Sequence, residues 1–183
     1  MVTRPPSGPL KPAAILGCLA LLTLGWTGLL IPSLIRSIEA TFDQSDAGIG
    51  LIYLLYSVAY AAGSFGGGPA TERLGRRTVL TGSAFLHGAG IIGLGLAPSW
   101  AAFMVVALPA GLGAGGLDGG SNGLFLDLFR TGRGRAMNLL HLFFSVGALS
   151  APLIVGALVE GGTPWQGVMV VSGLGPLVLA AGF

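Results

Sequence analysis

The chain has 183 residues, of which 52% are hydrophobic, 33 are glycine and only 9% are charged, and its mean hydropathy is +0.83. Such apolarity excludes a soluble globular domain and makes the bilayer the solvent. The formal charge of +2 comes from basic residues confined to short links, which excludes a nucleic-acid surface, and the single cysteine, Cys18, excludes an internal disulfide or a multi-cysteine metal site.

A bilayer core about 30 Å thick takes roughly 20 apolar residues per helix, and the apolar runs predict six spans in an all-α polytopic membrane protein. Residues 1–12, with Arg4 and Lys11, are predicted to form a cytoplasmic amino tail. The first span, about 13–36, has no small-residue cleavage site and is read as a retained helix rather than a signal peptide. It carries Trp26 among Gly25, Thr27 and Gly28, an aromatic suited either to stacking on a sugar ring or to packing. Pro32 implies a kink in this span, and Pro109, Pro152 and Pro176 imply kinks further on. The link at 37–46 is acidic, with Glu39, Asp43 and Asp46.

The second span, about 47–70, runs into Gly68-Pro69-Ala70-Thr71-Glu72-Arg73-Leu74-Gly75-Arg76-Arg77, read as a short charged link. Gly75 permits a tight turn, the arginines hold the link on the cytoplasmic side, and Glu72 supplies a counter-charge. These residues resemble the G-x-x-x-(D/E)-R-x-G-R-R signature between the second and third helices of the major facilitator superfamily. The resemblance implies a transporter of two six-helix halves, each built of two inverted three-helix repeats, with the solute held between the halves. One half is covered here. A single copy of the signature marks it as the amino-terminal half, to be completed by a carboxy-terminal half or a second copy. Gly68, Glu72, Arg73, Gly75, Arg76 and Arg77 would form a conformational latch, with Arg135 and its neighbours Arg130 and Arg133 as partners of Glu72.

The third span, about 78–97, contains His87, read as structural. The fourth, about 100–128, holds Asp118 deep in a glycine-rich run. A charge at a helix centre costs at least about 2.5–3.5 kcal/mol, so Asp118 should face a cavity or a partner. Steps of four, three and four residues join Gly111, Gly115, Asp118 and Asn122 on one stripe, and Gly113, Gly116, Gly119, Gly120 and Gly123 allow close helix contact elsewhere. Gly111, Gly113, Gly115, Asp118 and Asn122 together resemble the G-x-G-x-G-x-x-(D/E)-x-x-x-N pattern of the fucose, galactose and gluconate symporter branch, in which the acid is implicated in proton coupling. The first span here carries no second acid, so proton coupling, sodium coupling and facilitated diffusion all stay open.

The fifth span, about 136–160, puts Asn138, His141 and Ser145 on one face at steps of three and four. His141 and Asp118 lie at similar depths and are expected to share a polar site, the alternative being a packing role for His141. The sixth span, about 165–183, completes the set.

Basic residues fall in the amino tail and the second and fourth links, which predicts a cytoplasmic amino terminus in a bacterial-type inner membrane. H-E-x-x-H, G-x-S-x-G and phosphate-loop patterns are missing, so no enzyme, cofactor or metal centre is expected. The sequence therefore points to a secondary transporter of a small polar solute, a sugar by the resemblance, working by alternating access. The competing readings are an exporter of another solute and a non-transporting membrane scaffold.

Overall fold

The computed structural model describes residues 12–183, so the expected amino tail up to Lys11 lies outside the described residues. Seven helices run in order: α1 (Pro12–Gly28), α2 (Leu30–Phe42), α3 (Asp46–Leu74), α4 (Arg76–Gly95), α5 (Trp100–Leu128), α6 (Arg133–Glu160) and α7 (Trp165–Gly182). Six spans are long and apolar enough to cross a membrane, because α1 and α2 together make one of them, Pro12–Phe42.

The first span departs from expectation in two ways. It ends at Phe42 and not near residue 36, so Glu39 belongs to the helix and not to the link, and it pairs with Arg36 at 2.9 Å. Its helical run is also broken at Leu29. Pro32 explains the position, since it has no N–H to give the carbonyl of Gly28 and its ring crowds that carbonyl. The helices continue through Pro69, Pro109, Pro152 and Pro176, so helical assignment is interrupted at only one of the four predicted kinks.

The charged signature is corrected too. Gly68 through Arg73 are the last turns of α3, and Arg76 and Arg77 open α4, so the link is Gly75 alone. Gly75 turns at φ +83°, a conformation in which a Cβ would be strained, and its own N–H closes α3 on the Thr71 carbonyl.

Lipid tails are as apolar as leucine, so helices here associate through close packing rather than water exclusion. Glycine supplies the closeness. A Cβ built on Gly63 or Gly115 would strike the facing backbone across α3 and α5, and one on Gly25 or Gly147 would do the same across α1 and α6. The second and fourth spans thus meet as the first and fifth do, and exchanging the first three spans with the last three converts one contact into the other. That is the relation expected of two three-helix repeats.

Two apolar clusters fill the interior. One lies toward the end with the acidic link and centres on Leu34, Ile52, Phe103, Trp165 and Met169. It continues into an aromatic group of Phe42, Trp100, Phe103 and Trp165, with Trp165 donating its indole N–H to Thr41 Oγ1 at 2.9 Å. The other lies toward the end with the basic links and centres on Leu21, Leu80, Leu117, Phe125 and Leu140.

Candidate functional site

Asp118 sits in α5 where the glycine stripe ends, and its carboxylate is taken by two donors. Tyr60 on α3 donates its hydroxyl to Oδ2 at 2.6 Å, and the Asn122 side chain, one turn on, donates to Oδ1 at 3.0 Å. Asn122 Nδ2 also reaches the Asp118 main-chain carbonyl at 3.0 Å, while Asn122 Oδ1 is buried without a partner among the described residues. A carboxylate receiving two hydrogen bonds is matched as an ion, because in that form it only accepts.

The glycines place this cluster. Gly111 and Gly115 face the carbonyls of Tyr56 and Tyr60, so close that side chains there would push α3 away and carry the Tyr60 hydroxyl out of reach. The expected stripe of Gly111, Gly115, Asp118 and Asn122 does share one side of α5, but its glycine half is buried packing and only Asp118 and Asn122 present polar atoms. Gly113 and Gly116 pack on α4, against His87 and Ser83.

Tyr60 was missed from sequence. The sequence does carry a partial signal: Tyr53, Tyr56 and Tyr60 follow steps of three and four along the second span, an aromatic stripe on one face, though the spacing does not say which helix that face meets.

The fifth-span residues are placed differently. Asn138, His141 and Ser145 share an exposed face of α6, as their spacing predicts, and Ser145 donates to the His141 carbonyl at 3.0 Å. No hydrogen bond joins His141 to Asp118 among the described residues; the carboxylate is bonded by Tyr60 and Asn122. Trp26 is half-buried and donates its indole N–H to Ser172 Oγ on α7 at 2.8 Å, which ties the first span to the last.

The basic end is organised by Arg76. Its guanidinium pairs with Asp127 near the end of α5 and donates to the Gly120 carbonyl at 3.2 Å. Gly123 makes room for it, since a Cβ there would come within 2.8 Å of Arg76 Nη1. Glu72, Arg73, Arg77 and Arg135 are exposed, and none of them forms an ion pair among the described residues. The predicted pairing of Glu72 with Arg130, Arg133 or Arg135 is therefore not made in this structure; Asp127 takes the role of acid, and on Arg76. No cluster of three or more metal-ligating side chains occurs among the described residues.

Comparison with known proteins supplies the context. The model of the family described as Major Facilitator Superfamily matches residues 14–183. The chain is 31% identical over 150 residues to the cis,cis-muconate transport protein of Acinetobacter baylyi, covering 81% of this chain and 36% of that protein. It is 27% identical over 139 residues to the uncharacterized MFS-type transporter YfkL of Bacillus subtilis, covering 75% and 35%. It is 28% identical over 118 residues to sodium-dependent glucose transporter 1 of Xenopus laevis, covering 64% and 24%. Among solved structures, a D-xylose-proton symporter superposes with a TM-score of 0.69 at 17% identity, over 93% of this chain and 47% of that one. The matched region thus amounts to about a third of the length of the first two relatives and about half of the solved transporter.

Proposed function

Because the chain belongs to the major facilitator superfamily, we propose that it forms the amino-terminal six-helix half of a secondary transporter for a small uncharged polar solute such as a sugar, coupled to an ion through Asp118. The observation that carries this reading is the carboxylate held at mid-span by donors from two helices. An acid is retained inside a membrane span only where something offsets its desolvation, and such acids serve proton and ion pathways.

The cluster has the chemistry for coupling. If a proton binds Asp118, one carboxyl oxygen becomes a donor and displaces one of the two incoming hydrogen bonds. Asn122 can answer by turning its amide, because its Oδ1 is unpartnered and ready to accept. Tyr60 can answer by redirecting its hydroxyl. Either change alters the grip between α3 and α5, so occupancy at Asp118 is converted into a change between helices. A sodium ion would find the same oxygens, two from Asp118 and one each from Asn122 and Tyr60.

A neutral solute fits this half better than a dianion such as muconate. The arginines among the described residues stand at positions 36, 73, 76, 77, 130, 133 and 135, all at span ends, so this half offers no guanidinium at the depth of Asp118 to balance two carboxylates. In the same reading, the amino terminus and the Gly75 turn lie on the cytoplasmic side. Arg76 and Asp127 form the latch there, Glu72 and Arg135 being free to engage the second half.

Uptake into proteoliposomes of a panel of pentoses, hexoses and muconate, with and without proton and sodium gradients, tests this. Gradient-driven accumulation of a sugar is expected. Accumulation of muconate alone, or of none of the panel under any gradient, would overturn it.

A further inference from the structure

His87 is a fully buried histidine at the middle of α4, placed where three spans meet. Its Nε2 lies 2.9 Å from Thr27 Oγ1 on α1, and its Nδ1 lies 3.0 Å from the Ala110 carbonyl on α5. Thr27 Oγ1 is in turn 2.7 Å from the Thr23 carbonyl, a bond that only the Thr27 hydroxyl hydrogen can make.

Counting hydrogens across these three contacts gives an unusual result. If neutral His87 carries its proton on Nδ1, it bonds Ala110, and Nε2 must accept from Thr27; the Thr27 oxygen then faces the Thr23 carbonyl with no hydrogen between them. If the proton is on Nε2, Thr27 keeps its bond to Thr23, but bare Nδ1 faces the Ala110 carbonyl. Each neutral tautomer leaves two acceptors in contact. Only the imidazolium satisfies all three contacts, with Nδ1–H to Ala110, Nε2–H to Thr27 and the Thr27 hydroxyl to Thr23.

The hydroxyl that changes partner lies at a mechanically sensitive place. Thr27 is two residues before the break at Leu29, and a threonine bonding back to the carbonyl four residues earlier bends a helix. A cavity of about 30 Å³ adjoins the break, lined by Thr27, Gly28, Tyr53, Tyr56, Ile91 and Met169, and is large enough to hold a water beside Thr27.

We propose that His87 is a proton-binding site separate from Asp118, and that its occupancy sets the bend of the first span by switching the Thr27 hydroxyl between His87 and the Thr23 carbonyl. On protonation the added proton sits on Nε2 and points at Thr27 Oγ1, and the Thr27 hydrogen turns to Thr23. On release the hydrogen turns back to Nε2 and the helix loses its back-bond just before the break. Charges that would pin His87 in one form are absent from its surroundings among the described residues. On α1 the titratable group is Cys18; on α3 the nearest are Tyr53 and Tyr56 at the cavity; α7 carries none. On α5 the nearest is Asp118, eight residues or about 12 Å beyond Ala110, with its carboxylate held by Tyr60 and Asn122.

The test is nitrogen-15 NMR of the histidine rings of the full chain in nanodiscs from about pH 4 to 9, together with a carbon-13 carbonyl label at Thr23 read by infrared. The His87 signal is assigned by its loss in His87→Gln, or by its shift in Thr27→Val should the first variant not fold. Two protonated ring nitrogens at acid pH giving way to one, with the Thr23 carbonyl band moving at the same midpoint, is the expected result. Thr27→Val should abolish the carbonyl response and lower the ratio of doubly to singly protonated His87 at a fixed acid pH about tenfold, the worth of one hydrogen bond. A single protonation form over the whole range, or a titration that leaves the Thr23 carbonyl unmoved, would overturn the proposal.

Discussion

Gly115→Ala is the most demanding single change, because it couples packing to the site. A Cβ at this position would lie 2.7 Å from the Tyr60 carbonyl carbon and 2.8 Å from the Ser64 nitrogen, both backbone atoms that no rotamer change can move. The Tyr60 carbonyl oxygen would be nearer still, so relief to ordinary contact requires α3 and α5 to separate by about 1.5 Å. Overpacking of this kind costs about 1–3 kcal/mol, against which alanine returns at most about 1 kcal/mol of helix propensity. The same separation would stretch the 2.6 Å bond from Tyr60 to Asp118 to about 4 Å, well past the useful range for O–H···O. Gly66→Ala is the control, since nothing lies within 4 Å of a Cβ there. Unfolding in sodium dodecyl sulfate and uptake in proteoliposomes should be measured on both full-length variants. Gly115→Ala is expected to be the less stable by about 2 kcal/mol and to lose coupling, with Gly66→Ala near the parent in both. Equal stability and equal uptake in the two would refute the contact between α3 and α5 as described.

Further outcomes follow from the other contacts. Trp26→Phe should lower stability by about 1 kcal/mol through the orphaned Ser172 hydroxyl while leaving the KM for solute within about twofold, and a rise of tenfold or more would mean the ring binds solute instead. Asp127→Asn should weaken the grip of Arg76 by less than about 1 kcal/mol at the exposed carboxylate, an effect diminished by salt in a double-mutant cycle with Arg76→Gln; a large, salt-insensitive coupling would contradict the exposed geometry. Gly123→Leu should mimic loss of that pair by displacing the guanidinium, visible as faster proteolysis at the Gly75 turn, and unchanged cleavage would count against Arg76 as the tie between α4 and α5.

The six spans were legible because bilayer thickness imposes a length that composition reveals, and the fourth span's ends at Trp100 and Leu128 fall where the apolar run does. Span ends elsewhere were less legible, since helices project beyond the apolar core: α3 continues through Glu72 and Arg73, and α2 through Arg36 and Glu39, because a charged residue at a helix end reaches water without leaving the helix. Asp118 and Asn122 could be singled out because polar side chains are rare in lipid. Their partner could not, since one helix's periodicity says which residues share a face but not which neighbour that face meets. Tyr60 reaches Asp118 only because Gly111 and Gly115 let α3 approach, a fact of packing between spans. His87 shows the same limit: its role depends on Thr27 and Ala110, sixty and twenty-three residues away in sequence.

Whether Asp118 couples solute to an ion is decided most directly by comparing two modes of transport in the full-length Asp118→Asn protein in proteoliposomes: exchange of solute between the two sides, and accumulation driven by an imposed ion gradient. Asparagine keeps the size and removes the charge, so exchange should persist while accumulation falls to the level of empty vesicles. Accumulation equal to that of the parent protein would contradict a coupling role for Asp118 and leave the cluster it forms with Tyr60 and Asn122 as packing alone.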